Sequence, residues 1–312
     1  MLALVWTLGC AGPSEPGDEP WPEEGSSDSG EAGDLPGDSE PDPDPDPDPD
    51  SGDEGTTGCG DEGTTGSDDG PESTDGTTGD PEPPAGLDCE DRDDLLLCDD
   101  FEGGALDEAR WAVIENAGGQ VTVEDGFSYH GDGALRVHLP SADSARGAIQ
   151  TQPDTVFPVP GNHFFGRAWF YLGPAVPQTH SSAIAARGSL DGAPAQYRLD
   201  SNGGRFNSRY THNPTVEQHG GLKKFGYDVP LQQWLCIEWE YDGANDGMRY
   251  WMNGEEVTDM TVTADSEDQP WVAPVFDALE LGWRTFQAAP QAEGYDVYWD
   301  ALALASSRIG CQ

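Results

Sequence analysis

An antiparallel β-sandwich or jelly roll is the fold class that residues 89–312 predict. Three observations carry it: many short stretches alternate apolar and polar residues, turn residues separate them, and no stretch keeps a helical period. The opening stretch is Leu95–Glu102. Val121–Asp125, Leu135–Leu139 and Gly147–Thr151 follow, then Gly166–Leu172, Ser182–Arg187, Gln196–Asp200 and Arg205–Tyr210. Cys236–Tyr241 puts Ile237, Trp239 and Tyr241 on one side. Met248–Met252 runs into Asn253-Gly254, a strong hairpin signal, and on to Val257 and Met260. Leu279–Trp283 and Asp296–Leu304 complete the set, while Leu106–Trp111 suits one helical turn. A dozen short strands joined by turns build a sandwich.

Charge divides the chain unevenly. It has 312 residues and a formal net charge of −46, with 60 acidic and 14 basic side chains. Residues 1–88 hold 26 of the acids and no Lys or Arg, which leaves 34 acids beside all 14 basic residues in 89–312. Such a field repels nucleic acid and anionic lipid headgroups, so neither is expected as a partner. Residues 11–88 are almost entirely Gly, Pro, Ser, Thr, Asp and Glu, with a Pro-Asp run over 41–50. They offer almost nothing apolar to offset about 1–2 kcal/mol of backbone entropy per ordered residue. A disordered, extended acidic stalk is therefore expected there.

Residues 1–10 read as an export signal remnant. Leu2–Leu8 is apolar and Gly9-Cys10 follows, which resembles the end of a bacterial lipoprotein signal with Cys10 as the lipidated residue. Contact with a membrane is expected only through that anchor, at the bacterial cell surface or outer membrane, with the protein a monomer. Four cysteines, Cys89, Cys98, Cys236 and Cys311, lie in the domain and allow three pairings. The pairing expected is Cys89 with Cys98, closing a short loop, and Cys236 with Cys311, pinning the C-terminal tail. No CxxC or Cys/His cluster indicates zinc.

Gly166-Arg-Ala-Trp-Phe-Tyr-Leu172 has two unlike faces. Ala168, Phe170 and Leu172 form an apolar one. Arg167, Trp169 and Tyr171 form one that is long, flat and hydrogen-bonding, suited to a sheet on which a sugar polymer lies. Gln196 and Arg198 share a face of their own strand, and Trp283 offers a further stacking surface. Glu238 and Glu240 also share a face, but they alternate with Ile237, Trp239 and Tyr241 and lack the Glu-x-Asp-x-x-Glu spacing of a retaining glycosidase. They read as outer-face residues.

Six segments in order carry a family resemblance: Cys98-Asp-Asp-Phe-Glu102, Gly131-Asp-Gly-Ala-Leu-Arg-Val137, Gly166-Arg-Ala-Trp-Phe-Tyr171, Trp234-Leu-Cys-Ile-Glu-Trp239, Trp251-Met-Asn-Gly254 and Trp299-Asp-Ala-Leu-Ala-Leu304. Together they resemble the concanavalin A-like jelly-roll superfamily, closest to Cip1-like core domains, which are similar to glucuronan lyases. The resemblance implies a structural calcium site at Glu102, Asp132 and Asp300. It also implies a polysaccharide groove on the concave sheet. A lyase there removes the C5 proton of a uronic acid and expels the C4 oxygen, which needs a carboxylate-neutralising group, a base and an acid. Strand positions offer Arg167, Tyr171, His180, Arg187, Gln196, Arg198, Tyr210 and His212. Arg198 or Gln196 is expected to bind the carboxylate, with His180 or Tyr210 as base. Three readings stay open: a surface-tethered polysaccharide-binding module, a lyase acting on uronic-acid polymers, and a non-catalytic structural or adhesive lipoprotein.

Overall fold

Alternation of apolar and polar side chains closes into two antiparallel sheets whose apolar faces meet. The computed structural model describes residues 89, 94–174, 178–212, 222–264, 271–288 and 294–311. All belong to one unit of the chain, Gly79–Gln312. The expected signal at 1–10 with Cys10, and the expected stalk over 11–88, lie outside the described residues.

The first sheet contains β1 (Leu95–Asp99), β3 (Gln120–Asp125), β4 (Gly133–Leu139), β6 (His163–Leu172), β11 (Leu235–Asp242), β12 (Gly247–Met252), β13 (Glu255–Glu256) and β15 (Tyr295–Ala305). Its order is β13-β12-β11-β6-β15-β4-β3, with β1 paired to β15. The second contains β2 (Trp111–Asn116), β5 (Arg146–Thr151), β7 (Ser181–Leu190), β8 (Ala193–Asn202), β9 (Arg205–His212), β10 (Leu222–Asp228) and β14 (Val275–Thr285). They run β10-β9-β8-β7-β14-β5-β2. The chain thus crosses repeatedly from one sheet to the other, with runs of sequence neighbours paired inside a sheet at β3–β4, β7–β10 and β11–β13.

Between the sheets the core is aromatic. Phe164 and Phe170 of β6, Tyr197 of β8, Phe206 of β9, Trp239 and Tyr241 of β11, Trp283 of β14 and Trp299 of β15 are fully buried. Each such side chain contributes about 1.5–3 kcal/mol by leaving water. Asn253-Gly254 makes the expected hairpin between β12 and β13, with both residues at positive φ, 51° and 85°. Asp107 accepts from the amides of Arg110 and Trp111, so the expected turn at 106–111 forms and leads directly into β2. The disulfides are Cys89–Cys98 and Cys236–Cys311, as expected.

Strands β2 and β10 were not expected. Glu115 and Asn116 end β2 as exposed residues, and β10 carries Lys223, Lys224 and a bulge between Phe225 and Tyr227. Both are edge strands, where half the backbone faces away from any partner and a clean alternation is not enforced.

Candidate functional site: an arginine-lined sheet face

The outer face of the seven-stranded sheet is where polar side chains converge. On β8 the inward residues Tyr197 and Leu199 alternate with Gln196, Arg198 and Asp200 on the other side. On β9 the inward Phe206 and Tyr210 alternate with Asn207, Arg209 and Thr211. Register places Arg198 opposite Arg209, Asp200 opposite Asn207 and Gln196 opposite both Thr211 and Arg187.

Asp200 is the hub. Its Oδ2 accepts from Arg198 Nη2 at 2.9 Å, meets His180 Nε2 at 2.7 Å and pairs with Arg209 Nε at 3.5 Å. Burial alone would raise this carboxyl, but Arg198, the His180 hydrogen bond and Arg209 hold it well below the usual carboxylate range. Burial pushes His180 down, aided by Arg209 and Arg198 and opposed by Asp200. The imidazole is therefore neutral at pH 7, with Nε2–H held by Asp200 and Nδ1 carrying the lone pair. Phe286 fixes the imidazole from one side, stacked at 4.3 Å, and lies 5.3 Å from the Arg198 guanidinium. Beside Asp200 the buried Asn207 amide has neither Nδ2 nor Oδ1 engaged among the described residues, and Asp200 Oδ1 likewise has no partner among them. Unengaged polar atoms at this depth cost about 1–3 kcal/mol each.

Of the four expected catalytic residues, the structure brings Arg198, Gln196 and His180 onto one face. Tyr210 is a correction. It points into the core, rings stacked with Trp271, and burial followed by the charge of Asp246 raises its hydroxyl to about 12. His212 lies at the end of β9, with Nε2 3.2 Å from the Leu190 carbonyl.

The expected sugar-stacking residues do not join this face. Arg167, Trp169 and Tyr171 sit on β6 in the other sheet, and their outer side is covered. Arg167 is 1% exposed and donates to the Ala301 carbonyl at 3.3 Å. Trp169 is stacked under Tyr129 with centroids 3.4 Å apart and packs near the Cys236–Cys311 bridge. Tyr171 meets Phe127, Trp234 and Tyr298. Trp283 is a core residue, 1% exposed, stacked on Phe170. Alternation specifies which residues share a face but not which sheet the strand joins or what covers it, which is why these four were misplaced.

Glu238 and Glu240 are outer-face residues of the eight-stranded sheet, as expected. Arg308 donates to both Glu238 oxygens, and Glu240 pairs with His163 at 2.9 Å and Arg249 at 3.1 Å. His163, Glu240 and Asp242 lie close enough to share a cation. Asp242 is already occupied with the turn, accepting from the Ala244 and Asn245 amides.

Glu102 and Asp300 meet at the loop before β4. Glu102 accepts from the Asp132 and Gly133 amides at 3.0 Å, and Asp300 Oδ2 accepts from Tyr129 and His130 at 2.7 and 2.9 Å. Gly131 is at φ 65°, and a Cβ there would fall 2.1 Å from Glu102 Oε1. Asp300 is fully buried, and burial, with Glu102 adding, raises its carboxyl to about 6 against three backbone hydrogen bonds. The donors are all oxygens, the chemistry of a hard cation. Asp132 takes part through its amide, and its side chain is exposed.

Sequence reasoning missed Asp200, Asn207, Arg209, Arg146 and Glu280. The signal was present in Gln196-x-Arg198-x-Asp200 followed by Asn207-x-Arg209-x-Thr211, two consecutive strands with polar residues at every second place.

No curated protein matches the chain in sequence. The solved structure of cellulose induced protein, Cip1, is similar with a TM-score of 0.54 at 19% identity, covering 69% of this chain and all of its own. An endo-β-1,4-glucuronan lyase from the fungus Trichoderma reesei is similar at 0.51 and 14% identity, covering 68% of this chain and 96% of its own. Both share the fold. The family described as "Polysacc_lyase-like: Cip1-like, core domain" matches residues 100–307, and the chain belongs to that family.

Proposed function

We propose that the domain binds uronic-acid-containing polysaccharide on the outer face of the seven-stranded sheet and cleaves it by β-elimination at the Arg198–Asp200–His180 cluster. One observation carries this reading. A chain of net charge −46 gathers Arg146, Arg187, Arg198, Arg205, Arg209 and Arg284 on one face, where the described carboxylates include Asp200, Glu280, the exposed Asp277 and Asp228, the last paired with Arg205 at the sheet edge. That local excess of guanidinium suits a carboxylate-bearing sugar.

Arg198 and Arg209 neutralise the uronate carboxylate, which makes the C5 proton acidic. His180 Nδ1 takes that proton while Asp200 holds the ring through Nε2 and stabilises the imidazolium. The C5–H electron pair becomes the C4–C5 double bond, the C4–O bond breaks, and the imidazolium returns its proton to the departing oxygen. Gln196 and Asn207 hold sugar hydroxyls.

Ultraviolet absorbance of the unsaturated product, measured with a glucuronan and alginate panel, tests the reaction. Growth of the signal with wild type and its loss in His180→Gln is the expected result; a flat trace with wild type rejects cleavage. Binding without cleavage is the second reading, favoured by the described tyrosines Tyr197, Tyr210 and Tyr227, which all pack toward the core and leave His180 to serve as both base and acid.

Calcium completes the proposal, with Glu102, Asp300 and carbonyls of the 128–132 turn as its holders. An ion there would offset the mutual repulsion of the two carboxylates and tie the start of the domain to β15. The two disulfides suit an oxidising, exported location, with Cys10 as a tether.

A further inference from the structure

A second arginine–carboxylate group lies on the same face, and the elimination chemistry does not use it. Glu280 of β14 accepts from Arg146 Nε at 2.8 Å, from Arg146 Nη2 and from Arg187 Nη2. Arg187 Nη1 donates to Gln150 Oε1 at 3.0 Å. Arg284 stands opposite Arg146 in register, its guanidinium 4.5 Å from the Phe286 ring. Burial, then the charges of Arg146, Arg284 and Arg198, pushes Arg187 down to about 9, against the pull of Asp277. Burial holds Arg146 down to about 10. Guanidinium therefore outnumbers carboxylate here, as it does around Arg198.

Register sets the spacing of the two groups. Arg198 of β8 is opposite Ala185 of β7, and Ala185 is opposite Glu280 of β14. The two centres are thus two strands apart, about 10 Å at a strand spacing of about 4.8 Å. Ala185 is the β7 residue directly between them, so the straight line from one centre to the other crosses a single short side chain, with Arg187 two residues further along the same strand. A pair of cationic centres at this spacing suits a chain ligand with regularly recurring negative charge.

We infer that Arg146, Arg187 and Glu280 form a second anionic subsite, which takes the carboxylate of a uronate about one disaccharide away from the one held by Arg198. The inference rests on the uronate reading above and narrows it to polymers whose carboxylates recur at that spacing, rather than glycans with isolated uronates. Arg146 and Arg187 present guanidinium to the sugar carboxylate, and Glu280 keeps both forks aligned.

Calorimetric titration with oligoglucuronates of graded length tests it. Wild type is expected to bind a tetrasaccharide about tenfold or more tighter than a disaccharide, the worth of one added ion pair. Arg146→Gln and Gln150→Ala should reduce that step, whereas Arg198→Gln should weaken both lengths. An undiminished step in an Arg146→Gln protein that melts like wild type overturns the subsite. So does a wild type with equal affinity for both lengths, a result that needs no variant. Absence of binding at every length overturns the uronate reading itself, and the subsite with it.

Discussion

The two outer faces of this sandwich start from the same alternating pattern and end differently. On the eight-stranded sheet the outward side chains of β6, β11 and β15 are covered. Tyr129 lies on Trp169, and Phe127 and Trp234 crowd Tyr171. The C-terminal segment is bonded to Cys236 and anchored on Glu238 by Arg308 and the Gly310 amide. On the seven-stranded sheet the outward side chains are arginines and short residues, cross-linked by Asp200 and Glu280. The first face uses aromatic and charged residues for stability. The second concentrates charge that folding alone has no use for, since buried ion pairs return little over an apolar replacement.

The largest expected effect separates the faces at once. Asp200→Ala leaves Arg198, Arg209 and His180 without their shared anion, and stability should fall by about 3–5 kcal/mol, with uronate binding and elimination both lost. Denaturant unfolding and the absorbance assay check it. Trp169→Ala should cost about 3 kcal/mol or more by emptying a packed site, yet leave affinity for uronate unchanged under conditions where the variant is folded. Weakened sugar binding in that variant would return the β6 face to the site and break the comparison.

How far the sequence showed this difference depends on the residue. Period two identified β4, β6, β8 and β11 because each has one face locked into the core, and the cysteine pairing followed from short separation in one case and tail closure in the other. Arg198, Gln196 and His180 were visible as long polar residues on or beside strands. Trp283 and Tyr210 were misread because an aromatic with a polar tip looks the same whether it faces core or solvent. The cover over Arg167 and Trp169 comes from Tyr129, Ala301 and Cys311, far away in sequence, so no local pattern reports it.

Smaller effects sharpen the contrast. Replacing Cys236 and Cys311 by Ser opens a closure of sequence separation 75 and should lower stability by about 2–4 kcal/mol, again with uronate affinity retained. EDTA should lower the melting temperature of wild type and have little effect on Glu102→Gln; an unchanged wild-type melt removes the calcium proposal. The pH dependence is the finest test. His180 is held below its ordinary value of about 6.5, so the folded state binds fewer protons than the unfolded one just below that pH. Acidification should therefore reduce stability as well as base strength, and the acid limb of the elimination rate should lie below about pH 6.5. A limb above that value would assign the base to another group.

The central claim is that the arginine face reads carboxylates, and one measurement reaches it directly. Binding of a glucuronan is compared with binding of the same polymer after its carboxyl groups have been reduced to alcohols, both at low and high salt. The account predicts that wild type binds the acidic polymer, that salt weakens this binding, and that the reduced polymer does not bind. Equal affinity for the two polymers would contradict it.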